Sequence, residues 1–181
     1  GLELTNGTPN AAGWIAKHDK NGIPKFLELV YATEYLVVLD MESLVDGGIV
    51  ICGIFVGKAW LGDFNFGNES DELYRGFVAK YNADGECTAA YVSDETQSVY
   101  FHALSQDEDG NIFIAGAADG FFEFGVSEVT HSGESDAIYG KMEADLNPLW
   151  MKSIGGADFD FANEITVDVD DNIIISGSHE G

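Results

Sequence analysis

Positive charge is scarce in this sequence. Eight Lys and Arg face thirty-two Asp and Glu, a formal net charge of −24 over 181 residues. Such a surface repels phosphate backbones and anionic lipid, which argues against nucleic-acid and membrane-surface roles, and it attracts cations and favours solubility. Cysteine is nearly absent as well. Only Cys52 and Cys87 occur, which leaves the redox compartment open, and sequence alone does not place their Cβ atoms for or against a disulfide. No apolar run approaches the roughly 20 residues of a membrane-crossing helix, and neither a signal peptide nor a capped amphipathic helix is visible. The chain begins with Gly1 rather than Met, as a processed protein or an excised piece does, so the missing signal peptide has no bearing on secretion. The commonest enzyme motifs are missing too: there is no His-x-x-x-His spacing and no Gly-x-Ser-x-Gly elbow.

What is present is apolar enough to fold. Hydrophobic residues make up 45% and aromatics 12%, so the acidity is that of a folded protein rather than a disordered one. One stretch is written three times: Asp46-Gly47-Gly48-Ile49-Val50-Ile51-Cys52-Gly53, Asp109-Gly110-Asn111-Ile112-Phe113-Ile114-Ala115-Gly116 and Asp170-Asp171-Asn172-Ile173-Ile174-Ile175-Ser176-Gly177. The closing glycines lie 63 and 61 residues apart. Each copy is a turn signal, a short apolar run and a glycine, the pattern of a strand buried on both faces.

A period in the low sixties organises everything else. Strands are expected over 13–19, 23–31, 35–42 and 49–55. They recur over 76–81, 86–92, 99–106 and 112–116, and again over 137–142, 148–154, 163–168 and 173–177. The stretches holding Phe64-Asn65-Phe66-Gly67 and Phe122-Glu123-Phe124-Gly125 read as loops. Lys17, Lys80 and Lys141 fall at one phase of the repeat, each after a small residue (Ala16, Ala79, Gly140). The units run over about 13–75, 76–136 and 137–181. The chain is therefore all-β, with four antiparallel strands per unit. Units that cannot bury both faces alone point to β-propeller blades stacked about an axis, whereas a sandwich would show clean in–out alternation and no long period.

The third unit carries a resemblance. Asp136-Ala137-Ile138-Tyr139-Gly140-Lys141, Leu149-Trp150-Met151-Lys152-Ser153-Ile154-Gly155-Gly156, Asp160, Glu164-Ile165-Thr166-Val167-Asp168 and Asn172 to Gly177 together resemble the SBBP repeat, a β-propeller repeat of secreted bacterial proteins. The second unit is similar to a lesser degree and the first least, since both lack the Leu-Trp and Gly-Gly pairs. The resemblance implies that the strand ending in Asp168 is innermost, 173–177 second, 137–142 third and 148–154 outermost. The chain would then read as the third and fourth strands of one blade, two whole blades, and the first and second strands of another. Three blades' worth cannot easily close, because propellers have about four to eight. Either this is a segment of a larger propeller, the reading favoured on sequence, or the ends pair between chains. An exported, cell-surface location is implied by the same resemblance.

Candidate chemistry is thin. The acidic turns at Asp19, Asn82 and Asp107 suit calcium by composition, but Asp, Asn and Gly are also what tight hairpin turns demand, and no EF-hand loop is matched. If the innermost strands line a channel, Asp40 and Glu42, Asp107, and Glu164 and Asp168 converge on it. They would then repel one another unless a cation or a lysine sat among them, which makes them candidate ligands for a weakly held divalent metal. The three lysines invite contacts with a neighbouring acidic turn (Asp46, Asp109 or Asp170) or a snorkelling role over the blade face. His18, His102, His131 and His179 sit at unrelated phases. Trp14 and Trp150 are expected in the core, and Trp60, in a loop, as an exposed ligand contact. Asn6-Gly-Thr and Asn68-Glu-Ser fit the glycosylation triplet. The expected function is a non-catalytic extracellular scaffold or adhesion-type binding module with a protein or glycan partner, and the alternative is a carbohydrate-active or other hydrolytic propeller with loop-borne carboxylates.

Overall fold

The computed structural model describes residues 11–93 and 96–180. Every element in it is a strand. β1 (Ala11–His18) and β2 (Pro24–Ala32) form a hairpin, followed by β3 (Tyr35–Ser43) and β4 (Ile49–Val56). Two short strands, β5 (Ala59–Leu61) and β6 (Phe64–Phe66), precede β7 (Arg75–Tyr81) and β8 (Cys87–Val92). The pattern repeats in β9 (Val99–Gln106), β10 (Ile112–Ala118), the short β11 (Phe122–Phe124) and β12 (Ser127–Val129), β13 (Asp136–Met142) and β14 (Pro148–Ile154). β15 (Asp160–Val167) and β16 (Ile173–His179) come last.

These strands make antiparallel sheets in the orders β1-β2-β5-β6, β3-β4-β7-β8 and β9-β10-β13-β14, with two-stranded pairs β11-β12 and β15-β16. In the second and third sheets the order is the one implied by the resemblance, first strand to fourth. The two stretches read as loops are hairpins instead. Each turns on a glycine in the left-handed region at φ 60°, Gly62 and Gly125, the residue that a two-residue hairpin turn with positive φ at its first position requires. Three-residue strands are too short to announce themselves by period-two alternation. Trp60 accordingly lies on a strand, β5, and not in a loop.

Six longer hairpin turns share one geometry. In each, the first residue's N–H donates to the carbonyl of the fifth, and the fourth residue's N–H donates to the carbonyl of the first: Asp19 to Ile23, Leu44 to Gly48, Asn82 to Glu86, Asp107 to Asn111, Glu143 to Asn147 and Asp168 to Asn172. The fourth residue is left-handed every time, at Gly22, Gly47, Gly85, Gly110, Leu146 and Asp171. This is the three-residue hairpin loop built on a type I turn and a left-handed bulge residue.

The repeated glycine has a different cause. Opposite it, the first strand of each sheet carries one extra residue: Leu39 between Val38 and Asp40, His102 between Phe101 and Ala103, Asn163 between Ala162 and Glu164. A β-bulge kinks the strand toward its neighbour. A Cβ on Gly53, Gly116 or Gly177 would be driven into the carbonyl oxygen of Val37, Tyr100 or Phe161, inside the 3.0 Å that Cβ atoms essentially never breach. Glycine is there because the bulge brings backbone onto backbone.

Sheets stack in chain order. β3 packs on β1 and β2, β9 crosses β3, β4 and β7, and β15 crosses β9, β10 and β13. The layers between them are apolar: Ile15, Val30, Leu36, Phe55 and Phe77 in the first, Val50, Val78, Phe101 and Ile114 in the second, Phe113, Ala115, Ala162 and Ile165 in the third. β4 and β10 are buried on both faces, as the repeat predicts. β16 is not, for it has a sheet on one side only, and Ile174 is 54% exposed. Trp14, expected in the core, is also exposed, since β1 belongs to the first sheet of the stack and packs only on β2 and β3 among the described residues.

Candidate functional site

The acids proposed from sequence as ligands are held in other ways. The Asp40 carboxylate accepts the Met41 N–H at 2.8 Å and, across to the third sheet, the Leu104 N–H at 2.9 Å. It is a clasp between sheets, at the position just after the bulge. Asp107 and Asp168 open their turns and accept the N–H of Asn111 and of Asn172, each at 2.8 Å. Asp19 and Asn82 do the same for Ile23 and Glu86. Burial pushes the Asp107 carboxyl upward but is outweighed by hydrogen bonds from Asn111 and Lys141, which hold it below the ordinary carboxylate range. Asp168 is lowered by the Asn172 side chain and N–H. Glu42 is half-buried on β3 and Glu164 is exposed on β15. Ile165 turns inward between Glu164 and Thr166, as period-two alternation predicts. Among the described residues, no three His, Cys, Asp or Glu side chains come together in a group able to hold a metal ion.

The lysines reach turns, though not one common partner. Lys17 Nζ donates to the Gly47 carbonyl at 2.5 Å and Lys80 Nζ to the Ala144 carbonyl at 3.1 Å, each in a neighbouring sheet. Lys141 Nζ pairs with Asp107 at 3.0 Å within its own sheet and lies 4.8 Å from the centre of the Phe113 ring. Trp60 is stacked on Tyr31 with ring centres 5.1 Å apart, and Lys58 Nζ lies 5.2 Å over the indole. The three form a half-exposed platform on the first sheet. Asn68 is exposed between β6 and β7, and Asn6 lies outside the described residues. Cys52 and Cys87 are both free thiols. Burial drives the Cys52 thiol far above its ordinary value and pushes Cys87 up to about 11, so neither is a thiolate at neutral pH.

A pair that sequence reasoning passed over lies on the last two strands. Asp160 is buried and accepts the Gly156 N–H at 2.6 Å and Nδ1 of His179 at 2.5 Å. The His179 hydrogen bond chiefly, with help from the Gly156 N–H, holds the Asp160 carboxyl below its usual range. With Nδ1 donating to Asp160, Nε2 is left as an acceptor on a largely exposed ring. The imidazole borders a cleft of about 360 Å³ whose walls include Ala137, Ile154, Phe161 and Ser178. Nearby, Asp136 is buried with Oδ2 on the Ser132 N–H, while Oδ1 has no hydrogen-bond partner among the described residues. A carboxylate orienting a histidine is the arrangement of a general base. The cross-strand pairs at this phase in the other sheets are Leu36–Phe55 and Val99–Ala118, both apolar. That replacement of two facing apolar residues by Asp and His was the signal available in the sequence, and it is visible only once the strands are paired in register.

No protein-family model matches the chain, and no curated protein matches it.

Proposed function

We propose that the sheets are blades of an SBBP-type β-propeller and that the chain is a non-catalytic scaffold with a binding surface, belonging to a secreted or cell-surface protein. One observation carries this reading. The same bulge, glycine, turn and strand order recur in successive sheets, and the first strand of each sheet lies across the sheet before it. A unit of this kind is stable only through its neighbours, and its exposed surface is free to vary. The surface offered to a partner is acidic, with the Tyr31–Trp60–Lys58 platform as the place where a sugar ring or an aromatic side chain would stack.

Two measurements test it. An experimental structure in which Gly53, Gly116 and Gly177 superpose by one repeated rotation supports a propeller, and unrelated transformations refute it. A glycan array read beside the Trp60→Ala variant tests the surface. Binding that is lost in the variant supports the platform, and binding that persists refutes it. The Asp160–His179 pair favours the hydrolytic alternative. Turnover of any glycoside or ester that disappears in His179→Ala would replace the scaffold reading with that one.

A further inference from the structure

Aromatic rings collect at one end of the stacked sheets. In the second and third sheets the first and third strands run the same way, so their starting residues share an end. Tyr35 opens β3, Tyr74 immediately precedes β7, Tyr100 and His102 lie early on β9, and Phe159 and Phe161 flank the first residue of β15. Their rings form an unbroken row. The centres are 6.0 Å apart from Tyr35 to Tyr74, 5.4 Å from Tyr74 to Tyr100 and 6.3 Å from Tyr100 to His102. The row continues with 6.3 Å from His102 to Phe161 and 6.2 Å from Phe161 to Phe159. Tyr35 is 44% exposed, Tyr74 38% and Phe159 43%, and the other three are half-buried. The middle of the row joins the second and third sheets, each of which has a sheet packed on either side. Its exposure there belongs to the end of the stack and not to an uncovered sheet face.

Carboxylates stand beside these rings. The Tyr100 hydroxyl donates to Asp119 at 3.2 Å. Glu34 and Asp158 are exposed and adjoin Tyr35 and Phe159 in the chain, and exposed Glu72 lies two residues before Tyr74. The cations are engaged elsewhere. Lys17, Lys80 and Lys141 reach the turns at the far end of the strands, Lys58 lies over Trp60, and buried Arg75 pairs with Asp71. His102 adds a neutral ring, because burial lowers its pKa and its Nδ1–H is taken by the Ala162 carbonyl at 3.1 Å. A ring face attracts a cation, and a carboxylate at its margin supplies a charge-assisted acceptor for the same group.

We propose that this row binds an extended, basic protein segment whose arginine or lysine side chains lie over successive rings and pair with the flanking carboxylates. The spacing suits one. Alternate side chains of an extended chain stand about 6.6 Å apart on one face, close to the 5.4 to 6.3 Å between ring centres. A basic residue at every second position therefore places one cation per ring. Charge selects among ligands that could stack. A net charge of −24 draws a basic segment in and repels a polyanion. A neutral sugar would cover the rings yet leave the carboxylates without a cation. Arginine fits better than lysine, since its planar guanidinium stacks on a ring and offers two N–H groups to one carboxylate. The row extends the reading of the chain as a binding module to a second surface, apart from the Tyr31–Trp60–Lys58 platform on the first sheet.

Fluorescence anisotropy of a labelled peptide of alternating Arg and Ser, titrated with the 181-residue chain, tests this. The peptide binds, and its counterpart with Glu in place of Arg does not. A Tyr35→Leu, Tyr74→Leu double variant removes two exposed rings without changing the net charge, and lowers the affinity about tenfold. The Tyr35→Phe, Tyr74→Phe double variant keeps the affinity, and Trp60→Ala binds as the parent does. Photo-crosslinking on the parent chain is the second arm and depends on no variant's folding. A benzophenone on the peptide attaches within 72–75 or 97–104. An affinity unchanged in the leucine variant, or crosslinks spread over the acidic turns at the far end, is diffuse charge attraction and overturns the inference. A neutral oligosaccharide that occupies the row while the peptide does not bind overturns it as well. Loss of the peptide in Trp60→Ala alone transfers the binding to the first-sheet platform, which overturns the row and leaves that platform standing. A glycan array without hits removes the platform and leaves the row's result intact.

Discussion

Gly116→Ala tests the explanation given for the repeat. The added Cβ would enter the Tyr100 carbonyl, far inside 3.0 Å. The obstacle is backbone, held by the ladder of β9 on β10, and β10 is buried along its whole length. No side chain can rotate away. Overpacking a tight interior costs about 1–3 kcal/mol, and an immovable neighbour puts this site at the upper end, about 3 kcal/mol. In a chain of this size each kcal/mol moves the melting temperature by about 2–4 °C, so the expected fall is about 6–12 °C. Gly22→Ala is the control. Gly22 sits at φ 78° with nothing within 4 Å of a built Cβ, and the left-handed conformation alone costs about 1–2 kcal/mol. Asp171 at φ 61° and Leu146 at φ 70° occupy the same turn phase without glycine, so that strain is tolerable. Thermal melts followed by circular dichroism compare the two variants. If Gly116→Ala melts no lower than Gly22→Ala, the close approach at the bulge is not why the glycine is there.

Other expectations follow from single contacts. Asp40→Ala leaves the Leu104 N–H without its acceptor at the sheet interface and costs about 1–3 kcal/mol in denaturant titration. A variant as stable as the parent removes the clasp from the account. Lys141→Met strips Asp107 of its cation while Asn111 still bonds it, with an expected loss of about 1–2 kcal/mol by the same titration. The pH dependence has a defined sign. Asp107, Asp160 and Asp168 are held below their ordinary range in the folded chain. Their contribution is therefore present above the unfolded value near pH 4 and is lost as pH falls through the folded values. Asp168→Asn, which keeps the turn as Asn82 does at its own site, should lose less stability than the parent as pH falls below about 4. Equal losses in melts across that range would contradict the assignment.

Much of the fold was legible because it is local. The twelve long strands were marked by apolar runs between Gly, Asn and Asp turn residues, and the left-handed turn position explains most of that punctuation. The all-β class and the period near 62 residues followed from sequence alone. The function did not, since no residue pattern specifies what an acidic surface holds.

Tertiary structure decided the rest, because the deciding quantities depend on residues far apart in the chain. The glycine of the repeat is explained by a bulge on the facing strand. Asp40 was a candidate ligand until Leu104, 64 residues away, took its carboxylate. Asp160 and His179, at opposite ends of a hairpin, became a pair only through their register. Trp14 and Ile174 look like core residues in sequence and are core residues at every equivalent site. Sequence sets what a strand is able to bury, but burial itself depends on whether another sheet is there to cover it.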